Sequence, residues 1–421
     1  MNPRLRDDMR MDREQPGETL LRALGVIATD QHGRLSDHEW DVAILESVRQ
    51  GVAPLLFHRV ASQSTTAVPV EATRRLRQLA VTSAAKSLRL YRQLTEALEV
   101  LRGVGIDVIV LKGAYLAQAI YKDLALRPMA DVDLLVRKAD LERTEAILAA
   151  MGYVPFHGPH RDEDFLNCQH LHPLARAGGP PIEIHWTIES PTEPFAIDIE
   201  GLWERARPAR VAEVDVLVLS PEDLLLHLCL HTTFHHRLAL GLRGCWDLFE
   251  MIRQCQESIE WTQLQSRARE WRIEKYVYLT LQLAKDLLGA TVPAEVLTDL
   301  RPNWFDPKVM SLARAEILGQ ASAPSVSATF KRMWSAGRRC EKVRLLVEAM
   351  FPSRKALGRM YPTSRSALRL YPYYLRRWRE LVERYGTMAW RVIRREEKTR
   401  ALIRREHERD VLMEWLKPAS L

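Results

Sequence analysis

The sequence predicts a mixed α/β fold, α+β in how it segregates its elements: a small mixed sheet flanked by N- and C-terminal helical regions. Three observations lead there. Residues 19–102 and 221–320 carry apolar side chains at helical spacing. Between them, apolar runs at 108–111, 132–136, 182–184 and 211–219 are strand-length and bounded by glycine and proline. The run from Ile106 to Val136 reads as strand, glycine turn, helix, loop, strand.

The elements follow in chain order. Residues 1–18 are polar and charged, and disorder is expected there. From Leu20 to Arg102 the pattern is helical: Trp40, Ile44, Leu45 and Val48 share a face, and so do Leu88, Tyr91, Leu94, Leu98 and Leu101. Residues 62–70, SQSTTAVPV, form a loop, and Gly103 and Gly105 end the last helix. A core of residues 103–220 comes next. Its first strand, Val108–Leu111, runs into Lys112-Gly113 and a helix over Ala114–Tyr121. After the strand ending at Val136, a helix over 138–151 is closed by Gly152, and a strand is expected near Tyr153–Phe156. His170 and His172 lie on a strand-like face, and the Gly178-Gly179-Pro180 turn makes a hairpin whose second strand carries Glu183. A strand pair over 211–219 leads to Ser220-Pro221, a serine N-cap with proline at the first helical position. A helical region over 221–320 and a basic amphipathic helical region over 321–421 complete the chain.

The strand at 132–136 carries the chemistry. Asp131 and Asp133 are two residues apart, so they point to the same face with Cα atoms about 7 Å apart. Two carboxylates on one face of an apolar strand repel each other and are costly to bury, and a divalent cation relieves both problems. Hard oxygen ligands suit Mg²⁺ or Mn²⁺. An Asp-x-Asp pair by itself more often marks a turn, a helix cap or a solvated strand face. Its context here is narrower: a glycine between strand and helix, at Gly113, suits anion approach. A third acid, Glu183, sits in the apolar strand Pro181-Ile182-Glu183-Ile184-His185-Trp186.

Leu111-Lys112-Gly113, then Arg127-Pro128-Met129-Ala130-Asp131-Val132-Asp133-Leu134-Leu135-Val136, then Glu183-Ile184-His185-Trp186 resemble the polymerase-beta-type nucleotidyltransferase superfamily. More narrowly, they resemble a bacterial nucleotidyltransferase family with those motifs. The resemblance spans roughly residues 40–300. It implies a nucleotidyltransferase core in which Asp131 and Asp133 hold two Mg²⁺ ions and Glu183 helps ligate the second and takes a proton. It also implies an NTP as donor, a hydroxyl as acceptor and pyrophosphate as leaving group. Lys112, Gly113 and Arg127 are then the candidate cofactor- and phosphate-binding residues, while a solvated lysine and a loop-pinning arginine remain the plain alternatives. The superfamily usually places a serine after the turn glycine, where this chain has Ala114. Either Lys112 takes over that contact or the nucleotide sits differently.

Two further features stand apart. His227, His231 and His235 recur at i, i+4 and i+8, which aligns them on one helical face continued by His236, Arg243 and Asp247. Ordinary packing, a polar wall touching substrate or phosphates, and a metal site all remain open for that face. Residues 331–421 hold 24 Lys and Arg against 10 Asp and Glu, while the whole chain is only +7. Such a region suits a polyanion, either tRNA or other nucleic acid or an anionic membrane surface, and equally a solvated helix laced with salt bridges. A non-catalytic nucleotide- or RNA-binding scaffold using that region is the competing function.

Composition bounds the rest. The five cysteines form no CxxC motif, against a disulfide framework or a cysteine zinc site. No apolar run reaches membrane-spanning length, and the charged start lacks the apolar core of a signal peptide. The expected location is the cytoplasm.

Overall fold

The computed structural model describes residues 16–26, 35–62, 68–155, 168–319 and 397–418. It divides into two compact units, Met1–Gln320 with Trp415–Leu421, and Ala321–Glu414. Most of the basic region, and the first fifteen residues of the expected disordered start, lie outside the described residues. A helix already begins at Pro16.

The N-terminal helices are α1 (Pro16–Ala23), α2 (Asp37–Arg49), α3 (Ala53–Ser62) and the long α4 (Val70–Gly103). Ser36 and Glu39 form a capping box that starts α2. Then come β1 (Ile109–Val110), a short α5 (Lys112–Tyr115) that widens into a π turn at Leu116–Ile120, and β2 (Val132–Leu135). After these come α6 (Leu141–Ala150), β3 (Val154–Pro155), β4 (Leu174–Ala175), β5 (Ile182–His185), α7 (Ile199–Glu204), β6 (Arg207–Val211) and β7 (Val214–Val218). The second helical layer is α8 (Pro221–Leu230), which continues as a π turn at His231–His235, then α9 (Leu242–Cys255), α10 (Trp261–Glu270), α11 (Glu274–Leu288), α12 (Ala294–Leu300) and α13 (Pro307–Ile317). In the second unit, the described helix is α14 (Glu397–Trp415).

The seven strands form one mixed sheet in the order β3-β4-β5-β2-β1-β7-β6. β2 pairs in parallel with β5 and antiparallel with β1, and β4–β5 is the expected hairpin. Alternation decides which residues each face receives. Val132, Leu134, Val136, Ile182 and Ile184 join Leu90, Tyr91, Leu94, Leu98 and Leu101 of α4 in one buried cluster. The intervening positions, Asp133, Glu183 and His185, therefore emerge on the opposite face.

Helix α8 is buried along its whole length, as a helix that is apolar nearly all round must be. Its first-turn acid Asp223 is buried between Arg205 (2.9 Å) and Arg267 (3.1 Å), which ties α7, α8 and α10 together. Ser220 caps the helix as its sequence predicts, its hydroxyl accepting from the Asp223 amide. Among the described residues no helix is long and apolar enough to cross a membrane, and Cys168, Cys229, Cys245 and Cys255 are free thiols.

Candidate active site

The parallel register places Asp133 beside Glu183 and Leu135 beside His185, so the sheet itself assembles the acids. Asp131 lies one residue before β2, half-buried, while Asp133 is buried. His185 was not singled out from sequence. Its Nε2 stands 3.0 Å from Asp133 Oδ1 and 3.6 Å from Glu183 Oε2. Period-2 alternation along Glu183-Ile184-His185 is the signal that places it there. His170, which forms an isolated antiparallel bridge with His185, reaches the Glu183 carboxylate, Nε2 to Oε2 at 3.8 Å.

Lys112 holds Asp133 from the other side, Nζ to Oδ1 at 3.2 Å. Its backbone is left-handed, with φ at +36°. That conformation costs a non-glycine residue roughly 1–2 kcal/mol, strain of the kind that gathers at functional sites. Packing also calls for glycine at 113: a Cβ there would stand 2.8 Å from the Arg127 guanidinium and 3.1 Å from Met129 Sδ. Tyr91 of α4 donates to the Ala114 carbonyl, pinning the turn. Arg127 is buried, and its Nε and one terminal nitrogen donate to the two oxygens of Asp247 at 2.9 and 2.8 Å. Tyr121 donates to the same carboxylate at 2.8 Å.

The acids differ electrically. Burial raises the Asp131 carboxyl, and Asp133 and Glu183 raise it further by like-charge repulsion. Burial also works against the Asp133 carboxylate, yet Lys112 and the hydrogen bond from His185 hold it well below the usual range. Burial is likewise overcome at Glu183, which its hydrogen bond to His185 keeps low. For His185 the signs reverse: burial disfavours the imidazolium, but the hydrogen bonds to Asp133 and Glu183 raise its proton affinity.

The donor set fits a divalent cation. Ligand atoms of Asp133, Glu183 and His185 all lie within 4.8 Å of one another. Two carboxylate oxygens and one imidazole nitrogen are donors that divalent cations use, and the half-buried Asp131 carboxylate is within electrostatic reach of them.

The histidine face runs beside this cluster. His227 is buried, and its proton affinity is driven far down by burial and then by Lys112 and His185. His235 Nε2 meets Glu189 Oε1 at 2.6 Å. Glu189 is itself buried, with Oε2 unsatisfied, and burial raises its carboxyl. Sequence reading missed Glu189, whose partner is 46 residues away. The π turn brings His236 back onto His231, Nε2 to Nε2 at 3.1 Å, through the His236 amide bond to the His231 carbonyl.

Two cavities lie away from the acids: one of about 900 Å³ bordered by Tyr121, Trp246 and Phe249, and one of about 450 Å³ bordered by Phe195, Lys275 and Trp304. Neither includes Asp131, Asp133 or Glu183. The chemistry of the side chains, not cavity size, marks the site.

The profile of a family described as uncharacterised nucleotidyltransferase matches residues 36–289, from the start of α2 to the end of α11. The chain belongs to that family. The match spans the whole sheet and, of the helical layers around it, α2–α4 and α8–α11, so the motifs that suggested the resemblance and the cluster of acids fall within one matched region. No curated protein and no solved structure matches the chain. Family membership supports nucleotidyl transfer as the general chemistry and an NTP as substrate.

Proposed function

We propose that the chain transfers a nucleoside monophosphate from an NTP to a hydroxyl of its acceptor and releases pyrophosphate. The observation that carries this reading is Asp133 and Glu183 in register on neighbouring parallel strands, with His185 on the same face and Asp131 within electrostatic reach, in a chain of this family. A divalent cation, Mg²⁺ or Mn²⁺, held by Asp133, Glu183 and His185 with Asp131 beside them, would supply charge neutralisation for the phosphates and acidify the attacking hydroxyl.

The residues perform the remainder. The hydroxyl oxygen bonds to the α-phosphorus, and the bond from that phosphorus to the α–β bridging oxygen breaks. The hydroxyl proton passes to a carboxylate of the cluster. Asp131, raised by burial and by two neighbouring carboxylates, is a better acceptor than Glu183, which His185 holds low. Lys112 fixes the Asp133 carboxylate and leaves a positive charge beside it. Arg127 borders Gly113 and keeps the turn packed.

The basic region at 331–421 favours a polyanionic acceptor over a small one. Free thiols at the four described cysteines fit a reducing, cytoplasmic setting. The test is incubation with each NTP labelled at the α- or the γ-phosphate, with Mg²⁺ or Mn²⁺ and a cell extract as acceptor source, with D133N protein as blank. Transfer of the α-label alone, absent from the blank, is expected. Transfer of the γ-label would replace nucleotidyl transfer by kinase chemistry, and no transfer would favour the scaffold.

A further inference from the structure

Both cations expected from the sequence to meet phosphate are already engaged within the protein. Lys112 is bonded to Asp133, and Arg127 grips Asp247 with two nitrogens. A third cation is placed differently. Arg243 lies half-buried in the first turn of α9, one turn before Asp247, and has no hydrogen-bond or ion-pair partner among the described residues. A cation in that turn opposes the positive end of the helix dipole. Burial, and then Arg127, lower its proton affinity further, and the attraction of Asp247 and Asp131 does not offset them. A guanidinium held in such a place is uncompensated unless an anion joins it.

The packing brings other donors to the same spot. α9 meets the π turn at Gly244, where a Cβ would stand 2.7 Å from Thr232 Cγ2, so the two backbones approach closely. The Arg243 stem passes over Gly51, whose Cβ would stand 3.2 Å from Arg243 Cδ. His231 and His236, joined Nε2 to Nε2, lie within electrostatic reach of Lys112 and Asp133, and His236 also of Arg243. With one proton shared between the facing nitrogens, the pair retains an N–H that can be turned to an incoming oxygen.

We propose that Arg243, His231 and His236 form the wall that binds the polyphosphate of the nucleotide donor, opposite the carboxylates on β2 and β5. The proposal rests on the nucleotidyl-transfer reading and names the residues that take the place of the missing serine after Gly113. Arg243 offers a planar fork to two phosphate oxygens, which a lysine cannot reproduce. The phosphate in question is the donor's, although an acceptor phosphate shares the chemistry.

The probe is inorganic tripolyphosphate, titrated calorimetrically into the full chain with Mn²⁺, alone and in competition with each NTP. R243Q, R243K, H236Q and D133N are compared with wild type, and each melting temperature is recorded. Tripolyphosphate should bind wild type and displace the NTP. R243Q should weaken both ligands by roughly tenfold to a hundredfold, R243K by less, and H236Q by several-fold. His236 is exposed, so H236Q keeps the test valid if R243Q fails to fold. NTP binding that survives in folded R243Q and in H236Q, but is lost in D133N, overturns the wall and leaves nucleotidyl transfer standing. Tripolyphosphate bound alongside NTP without competition overturns the donor assignment and gives the wall to the acceptor. If wild type binds neither, both readings fall.

Discussion

Arg127 and Arg243 are within electrostatic reach of each other and of Asp247, and their difference separates structure from function. Arg127 is 7 % exposed. Burial disfavours its charge, and Asp247 more than offsets that. Tyr121 completes that carboxylate, so the group is closed and self-sufficient. Arg243, one turn from the same Asp247, has no such partner among the described residues. The lesson extends to the acids. Asp223 and Asp247, deep in the helical layer, are neutralised by arginines. Asp131, Asp133 and Glu183 depend on one lysine and on histidines, which a cation can supplement. An ion pair that is complete holds the fold; one left incomplete waits for a ligand.

The comparison breaks most visibly at its closed end. Asp247→Ala leaves Arg127 buried and unpaired, and a loss of about 3–5 kcal/mol in unfolding free energy is expected by urea titration. A loss under 1 kcal/mol would show Arg127 to be solvated, erasing the contrast with Arg243. Next in size is Asp133→Asn. It removes the partner of Lys112 and His185 and should cost about 1–3 kcal/mol, besides abolishing turnover. The repulsion expected from the Asp-x-Asp spacing thus falls unevenly, because Asp133 is compensated and Asp131 is not.

The histidine face gives a pH signature. Although His236 is exposed as a residue, desolvation of its ring against His231 and then the nearby Lys112 lower it from the ordinary 6.5 to about 4, and burial lowers His227 and His231 as well. Between those values the unfolded chain binds more protons than the folded one, so stability from these groups is present above pH 6.5 and lost as pH falls towards 4. The melting temperature of H236Q should therefore fall less than that of wild type between pH 7 and 5; parallel curves would mean that His236 titrates normally. Smallest of all is Asp131→Asn. Relief of repulsion should leave stability unchanged or raise it by up to about 1 kcal/mol, with turnover lost. A clear drop in melting temperature would make Asp131 a structural acid.

The contrast also explains what the sequence could reveal. Period-2 alternation and the glycine and proline breaks were enough to locate β2, the β4–β5 hairpin and the strands that bring Asp133 beside Glu183. The same alternation places His185 on that face. Other features depend on long-range closure. Arg127 and Asp247 are separated by 120 residues, and nothing local to either indicates its partner. The π turns are the second obstacle. A straight α-helix puts His227, His231 and His235 in line, but the i to i−5 bond at His236 pairs it with His231 instead. Gly113 reads as a phosphate turn, and only the packed structure shows Arg127 and Met129 against its Cα.

The most direct measurement is calorimetric titration of the four NTPs into wild type and D133N, each with and without Mn²⁺. Binding of an NTP that requires the metal and disappears in folded D133N is the expected result. NTP binding that is indifferent to both Mn²⁺ and Asp133 would contradict a nucleotidyltransferase site on this face of the sheet.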